Sequence, residues 1–194
     1  YFSSETAKDG SWSSSYTWID VRDWGKSNVK AGSGDDIITL TGAPESETYD
    51  GWYSGFYANG YGYGHIYGED GNDTIDASKT SAAYELNGGA GDDIIYGAQE
   101  YTQGIYGGDG NDTIYTGTGN DLIITGHGSR ERIVLGSGHK VITDLTPGRD
   151  LLYLSDTSNV STYQTEHGVL FEYEGGSVHC LGTRTSFIYD TDLF

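Results

Sequence analysis

This chain is short of several things. Of its 194 residues only one is cysteine, Cys180, so no internal disulfide framework holds it. A small apolar residue in a late strand is the reading for that thiol. Proline occurs only 2 times, so the 31 glycines do not belong to a Pro-rich disordered segment, and they carry no collagen triplet period. Basic residues are scarce: Lys and Arg total 10 against 29 Asp and Glu, a net charge of −19. That balance argues against nucleic acid, which is bound through phosphate contacts. It fits a fold that needs divalent cations to relieve acidic self-repulsion. No run is long and apolar enough to span a membrane. No secretory leader is legible and the first residue is Tyr1, so a mature form or a fragment is expected.

What is present is a repeat. Gly107–Tyr115 reads GGDGNDTIY, a complete copy of a nine-residue pattern GGxGxDxUx in which U is large and apolar. Four more copies share its internal order: AGSGDDIIT (Ala31–Thr39), GEDGNDTID (Gly68–Asp76), GGAGDDIIY (Gly88–Tyr96) and TGTGNDLII (Thr116–Ile124). The glycines allow a tight turn at positive φ. Such a turn aims backbone carbonyls inward, and Gly71, Gly91 and Gly110 are counted as metal-site residues for that reason. The sixth place adds a carboxylate: Asp36, Asp73, Asp93, Asp112 and Asp121. Stacked turns can then surround a hard cation with about six or more oxygens, a flexible cage that suits calcium better than magnesium. The fifth place, Asp35, Asn72, Asp92, Asn111 and Asn120, reads as turn-forming.

The apolar positions form two ladders. One runs Ile38, Ile75, Ile95, Ile114, Ile133; the other runs Val29, Ile66, Leu86, Ile105, Ile123, Ile142. Both advance about two nonapeptides per step, as the two sheets of a flattened coil would. The 37-residue steps from Ile38 to Ile75 and from Val29 to Ile66 are read as two turns, with one coil lacking a full motif between. Residues 1–30 are expected to be an N-terminal cap, although Ile19 lies one step before Ile38. Residues 31–143 are expected to be the roll, with a Tyr/Gly-rich coil at 40–67. Residues 144–194 are expected to be an antiparallel cap, with a hairpin around Glu174-Gly175-Gly176 and a last strand near Phe187–Asp190. Asp73, Asp93 and Asp112 fall on one side in consecutive coils, and Asp36 two coils earlier. Asp121 falls on the opposite side with Tyr101 and Lys140 as neighbours. Arg130 and Lys140 take the Asp place in the last coils, where a fixed cation excludes calcium and substitutes for its charge. Metal binding is therefore expected to end near Asp121.

Trp52, Tyr53 and Tyr57, in the stretch YDGWYSGFYANGYGY (Tyr49–Tyr63), and the stacked pair Tyr96 and Tyr115 are candidate ligand-binding residues. Aromatics among Gly, Asn and Ser serve binding loops, and they equally serve packing and cross-strand pairing. No HExxH is present among the positions of the five histidines. Gly175–His179 is a near miss to GxSxG in a hairpin rather than a strand-to-helix elbow. No catalytic residue is assigned.

The repeats resemble those of the RTX family of secreted bacterial toxins, proteases, lipases, epimerases and adhesins. The block VITDLTPGRDLLYLS (Val141–Ser155) is similar to the segment after the roll in serralysin-type proteases and epimerases. The resemblance implies an all-β, right-handed parallel β-roll, calcium held by the Asp of each motif, and export by type I secretion to the cell exterior or surface. The function expected is a non-catalytic, calcium-dependent extracellular module that folds on calcium and serves adhesion, matrix or fibre assembly. Its partners would be calcium, and glycans or other protein subunits. The alternative is the secretion and folding module of a larger secreted enzyme.

Overall fold

The computed structural model describes residues 18–22, 26–41, 63–79, 83–99, 103–128 and 130–184. Among these there is no helix; the chain is a parallel β-solenoid of two sheets. The first sheet has 7 strands in the order β1 (Trp18–Arg22), β3 (Ile37–Thr41), β5 (Thr74–Lys79), β7 (Ile94–Tyr96), β9 (Thr113–Tyr115), β11 (Arg132–Val134) and β13 (Leu151–Tyr153). The second has 9 strands. It runs from β2 (Lys26–Ser33) through β4 (Tyr63–Asp70), β6 (Ala83–Ala90), β8 (Gln103–Asp109), β10 (Asp121–Gly126) and β12 (Gly138–Ile142) to β16 (Gly176–Leu181), β15 (Gly168–Tyr173) and β14 (Ser161–Gln164). From β1 to β13 the chain alternates between sheets, so each coil contributes one strand to each.

Register follows the apolar ladders. Ile38 pairs with Ile75, then Ile95, Ile114 and Ile133. Val29 pairs with Ile66, then Leu86, Ile105, Ile123 and Ile142. Alternation along each strand decides which residues go inside: β8 runs buried at Gln103, Ile105 and Gly107 and half-exposed between them. Every isoleucine of the first ladder is fully buried, as are Ile66, Leu86, Ile105, Ile123 and Ile142 of the second. The two columns face each other and form one continuous core. Each such side chain contributes about 1.5–3 kcal/mol relative to exposure. A one-residue slip would turn the whole column outward, so register is strongly specified.

Two expectations are corrected. The 37-residue step does not hide a coil, because β2 pairs directly with β4 and β3 directly with β5. The ladder spacing alone cannot separate two coils from one coil plus a long connection; the strand pairing does. Asp36 is therefore one coil from Asp73. Residues 42–62, with Trp52, Tyr53 and Tyr57, lie outside the described residues, as does the expected last strand near Phe187. The roll also begins earlier than Ala31, since β1 and β2 already belong to its two sheets.

The C-terminal end turns antiparallel, as the hairpin reading requires. β15 and β16 pair antiparallel around the turn at Glu174 and Gly175, and β14 adds to β15. This cap is continuous with the roll, because β16 pairs parallel with β12 and β13 with β11. Cys180 lies fully buried in β16, where burial pushes its thiol up to about 12 and leaves it inert.

Candidate metal centre

The turns that lead from the second sheet to the first stack along one edge of the roll. Each carries the sixth-place carboxylate inward, and these form a row. The Asp36 N–H donates to Asp73 Oδ1 (2.7 Å), Asp73 N–H to Asp93 Oδ1 (2.7 Å) and Asp93 N–H to Asp112 Oδ1 (2.9 Å). The row continues past the last matching motif: Asp112 N–H donates to Glu131 Oε2 (2.7 Å), and Glu131 N–H to Asp150 Oδ1 (3.2 Å). Asp36, Asp73, Asp93, Asp112, Glu131 and Asp150 are all buried. A second, exposed row runs the opposite way at the fifth place. There Asp35 Oδ1 accepts from Asn72 N–H (2.8 Å), Asn72 Oδ1 from Asp92 N–H (2.7 Å) and Asp92 Oδ1 from Asn111 N–H (2.8 Å). Fifth-place side chains therefore tie one turn to the next.

The inner row uses only one oxygen of several carboxylates. The other oxygens, Asp73 Oδ2, Asp93 Oδ2, Asp112 Oδ2 and Glu131 Oε1, are buried with no hydrogen-bond partner among the described residues. Leaving a buried charged acceptor uncompensated is expensive. Burial pushes these carboxyls up, Asp73 and Asp112 to about 6, and Asp93 and Glu131 to about 7, with backbone N–H donation opposing it. Each unpartnered oxygen faces a small space that a glycine keeps open. A Cβ added at Gly68 would meet Asp73 Oδ2 and the Gly88 carbonyl oxygen; one at Gly88 would meet Asp93 Oδ2 and the Gly107 oxygen. One at Gly107 would meet Asp112 Oδ2 and the Thr125 oxygen. Among the described residues no three Asp, Glu, His or Cys side chains gather as a metal cluster. The donors are a carboxylate oxygen from one coil and a main-chain carbonyl from the next. A recurrent cradle of charged and neutral oxygens fits a hard cation such as calcium.

The carbonyls beside these oxygens belong to Gly88, Gly107 and Thr125, which sequence reading did not single out; the first place of the nonapeptide was the available signal. Gly71, Gly91 and Gly110 sit at φ 135°, 135° and 139°. An added Cβ at each would strike the preceding turn's backbone, at Gly34, Gly71 and Gly91 respectively. Only glycine satisfies both the turn and the stacking distance.

On the opposite edge Asp121, expected as a calcium ligand, has a different setting. The register places Gln103, not Tyr101, beside Asp121, with Lys140 on its other side. Lys140 is fully buried, and its ammonium lies 2.8 Å from Asp121 Oδ2. It donates to the carbonyls of Gly117 (3.0 Å) and Gly119. The ammonium thus occupies the space between one carboxylate and two turn carbonyls. Burial pushes the Asp121 carboxyl up and Lys140 pulls it back. The sequence expectation for Lys140, a fixed cation in the metal's place, matches this geometry. Arg130 does not take that part: it is exposed, and Glu131 holds the sixth-place position.

Other chemistry is sparse. Tyr96 and Tyr115 stack with ring centroids 4.7 Å apart and planes 10° apart, and Tyr115 and Ile94 are each 38% exposed. His139 Nδ1 lies 2.8 Å from Ser177 Oγ on the exposed face of β12 and β16, a contact that spacing did not reveal. In register Ser177 stands between His139 and Glu172.

Comparison with known proteins agrees with the site. A family model described as RTX calcium-binding nonapeptide repeat (4 copies) matches residues 65–79, 85–99 and 106–139. No curated protein sequence matches the chain. Among solved structures, an extracellular lipase, LipA, from Serratia marcescens is similar at 12% identity and a TM-score of 0.36. The match covers 97% of this chain and 41% of the lipase, so this chain spans less than half of the lipase's length.

Proposed function

As this chain carries RTX calcium-binding repeats wound into a parallel β-roll, we propose that it is a non-catalytic extracellular module that folds on calcium after secretion and then serves surface adhesion or matrix and fibre assembly. The observation that carries this is the row of buried oxygens Asp73 Oδ2, Asp93 Oδ2 and Asp112 Oδ2, each without a donor among the described residues and each facing a carbonyl of the next coil. Neutral pH and low calcium leave those charges uncompensated. The net charge of −19 adds repulsion, and glycine-rich turns cost backbone entropy. Where calcium is abundant, ions that bind only the folded coils convert binding free energy into folding free energy. Each site contributes about 2.7 kcal/mol when free calcium is about 100 times its Kd.

The attachment role rests on the outer surface. Tyr96 and Tyr115 form a stacked aromatic strip beside exposed Ile94, and Leu122 is 40% exposed on the other sheet. Aromatic strips suit sugar rings and protein partners. Circular dichroism across a calcium titration tests the folding step: β structure unchanged in chelator would defeat it. A glycan array probed with calcium and with chelator tests attachment, with retention in calcium alone as the supporting result. Equal signals in both would count against it.

A further inference from the structure

The turn from β10 to β11 breaks the repeat and still holds its place in the row. Gly126 pairs with Gly108, and Arg132 with Thr113, so this turn is one residue longer than the one from β8 to β9. The residue that reaches the sixth-place position is Glu131, whose side chain is one methylene longer than Asp. The two changes together set its carboxylate where the row requires it, taking the Asp112 N–H at 2.7 Å. Hydrogen bonding from that N–H uses Oε2 only. The other oxygen, Oε1, is buried and has no hydrogen-bond partner among the described residues. A Cβ added at Gly128 would meet both that oxygen and the Gly110 carbonyl oxygen. A buried charged acceptor without a donor requires a proton or a cation.

We propose that Glu131 is a calcium ligand: its Oε1 and the Gly110 carbonyl complete, with Asp112 Oδ2 and the Thr125 carbonyl, the last cation site of the row, in a turn that departs from the nonapeptide motif. The inference rests on calcium loading of the same row. The row ends at this site because the next interval is closed by the protein's own groups. Asp150 Oδ1 accepts from Glu131 N–H and Oδ2 from Thr146 N–H (2.7 Å). Both oxygens of Asp144 accept, from Thr125 N–H (2.8 Å) and Gly126 N–H (2.9 Å). The Arg149 guanidinium donates to the Gly128 carbonyl (3.0 Å). A guanidinium thus ends one edge much as the Lys140 ammonium closes the other.

The test counts calcium ions per chain by native mass spectrometry and calorimetry, with circular dichroism confirming the roll at saturating calcium. Glu131→Gln keeps an acceptor for the Asp112 N–H and removes the charge; it should bind one ion fewer than the unmodified chain. Gly128→Ala keeps the charge and fills the cradle, and should lose the same ion. Asp150→Asn should bind the full number. Asp93→Asn serves as the reference for the row itself. If Asp93→Asn loses an ion and neither Glu131→Gln nor Gly128→Ala does, the role of Glu131 is overturned while calcium loading of the row stands. Loss of no ion in Asp93→Asn overturns the row. Should Glu131→Gln not fold, the Gly128→Ala count decides alone. An ion lost in Asp150→Asn overturns the placement of the row's end.

Discussion

Replacing Lys140 by Met isolates what a built-in cation does for this roll. The ammonium is fully buried against Asp121 and touches two turn carbonyls. Met keeps an apolar stem of similar length, so the change is mainly the lost charge. It leaves the Asp121 carboxylate buried beside the carbonyls of Gly117 and Gly119. Breaking a buried ion pair on one side costs about 3–5 kcal/mol, equivalent to a fall in Tm of roughly 6–20 °C for a chain of this size. The assay is thermal and urea unfolding at fixed saturating calcium. Lys140→Met combined with Asp121→Asn should cost less than the two single changes together, with a coupling of about 1–3 kcal/mol. The single variant should also gain stability as calcium rises further, since the vacated space offers the same oxygens as the opposite edge. An additive double mutant, or Lys140→Met as stable as the parent, would refute the reasoning.

Three further outcomes follow from the same geometry. Asp93 and Glu131 are raised to about 7, and Asp73 and Asp112 to about 6, mainly by burial. The calcium-free fold therefore holds protons that the unfolded chain releases, and its stability is full below about pH 4 and lost as pH rises through 6 to 7. Circular dichroism of calcium-stripped protein should show β structure gained on acidification across that window; a loss would contradict it. Gly88→Ala puts a methyl group against Asp93 Oδ2 and the Gly107 carbonyl, and calorimetry should read calcium binding at that interval weakened about tenfold or more. Ile114→Ala removes a fully buried ladder residue and should cost about 2–5 kcal/mol in urea unfolding, with no change in the number of ions bound.

Much of this architecture is legible in the sequence, because a solenoid writes its register directly as a spacing. Ile75, Ile95 and Ile114 recur at nearly constant steps, and the sheets pair those very residues. The hairpin at Glu174 and Gly175 is marked by turn residues between apolar runs, and it forms. The misreadings arise where spacing is ambiguous. A 37-residue step is compatible with two coils or with one coil and a long connection, and only the β3 to β5 pairing separates them. Counting six places from Thr125, which stands in register with Gly107, lands on Arg130, one residue early, because that turn is longer; Glu131 was missed for that reason. The stretch from Ala98 to Gln103 has no motif to anchor its register, so Tyr101 was placed where Gln103 stands. Carbonyl donors leave no side-chain signature at all, which is why Gly88, Gly107 and Thr125 emerge only from the fold.

The central claim is that cations fill the spaces beside the unpartnered carboxylate oxygens. A crystal grown in abundant calcium and measured for anomalous scattering tests it directly. The account predicts anomalous peaks beside Asp93 Oδ2 and the Gly107 carbonyl, and beside Asp112 Oδ2 and the Thr125 carbonyl. An ordered roll with no peak at either place would contradict it.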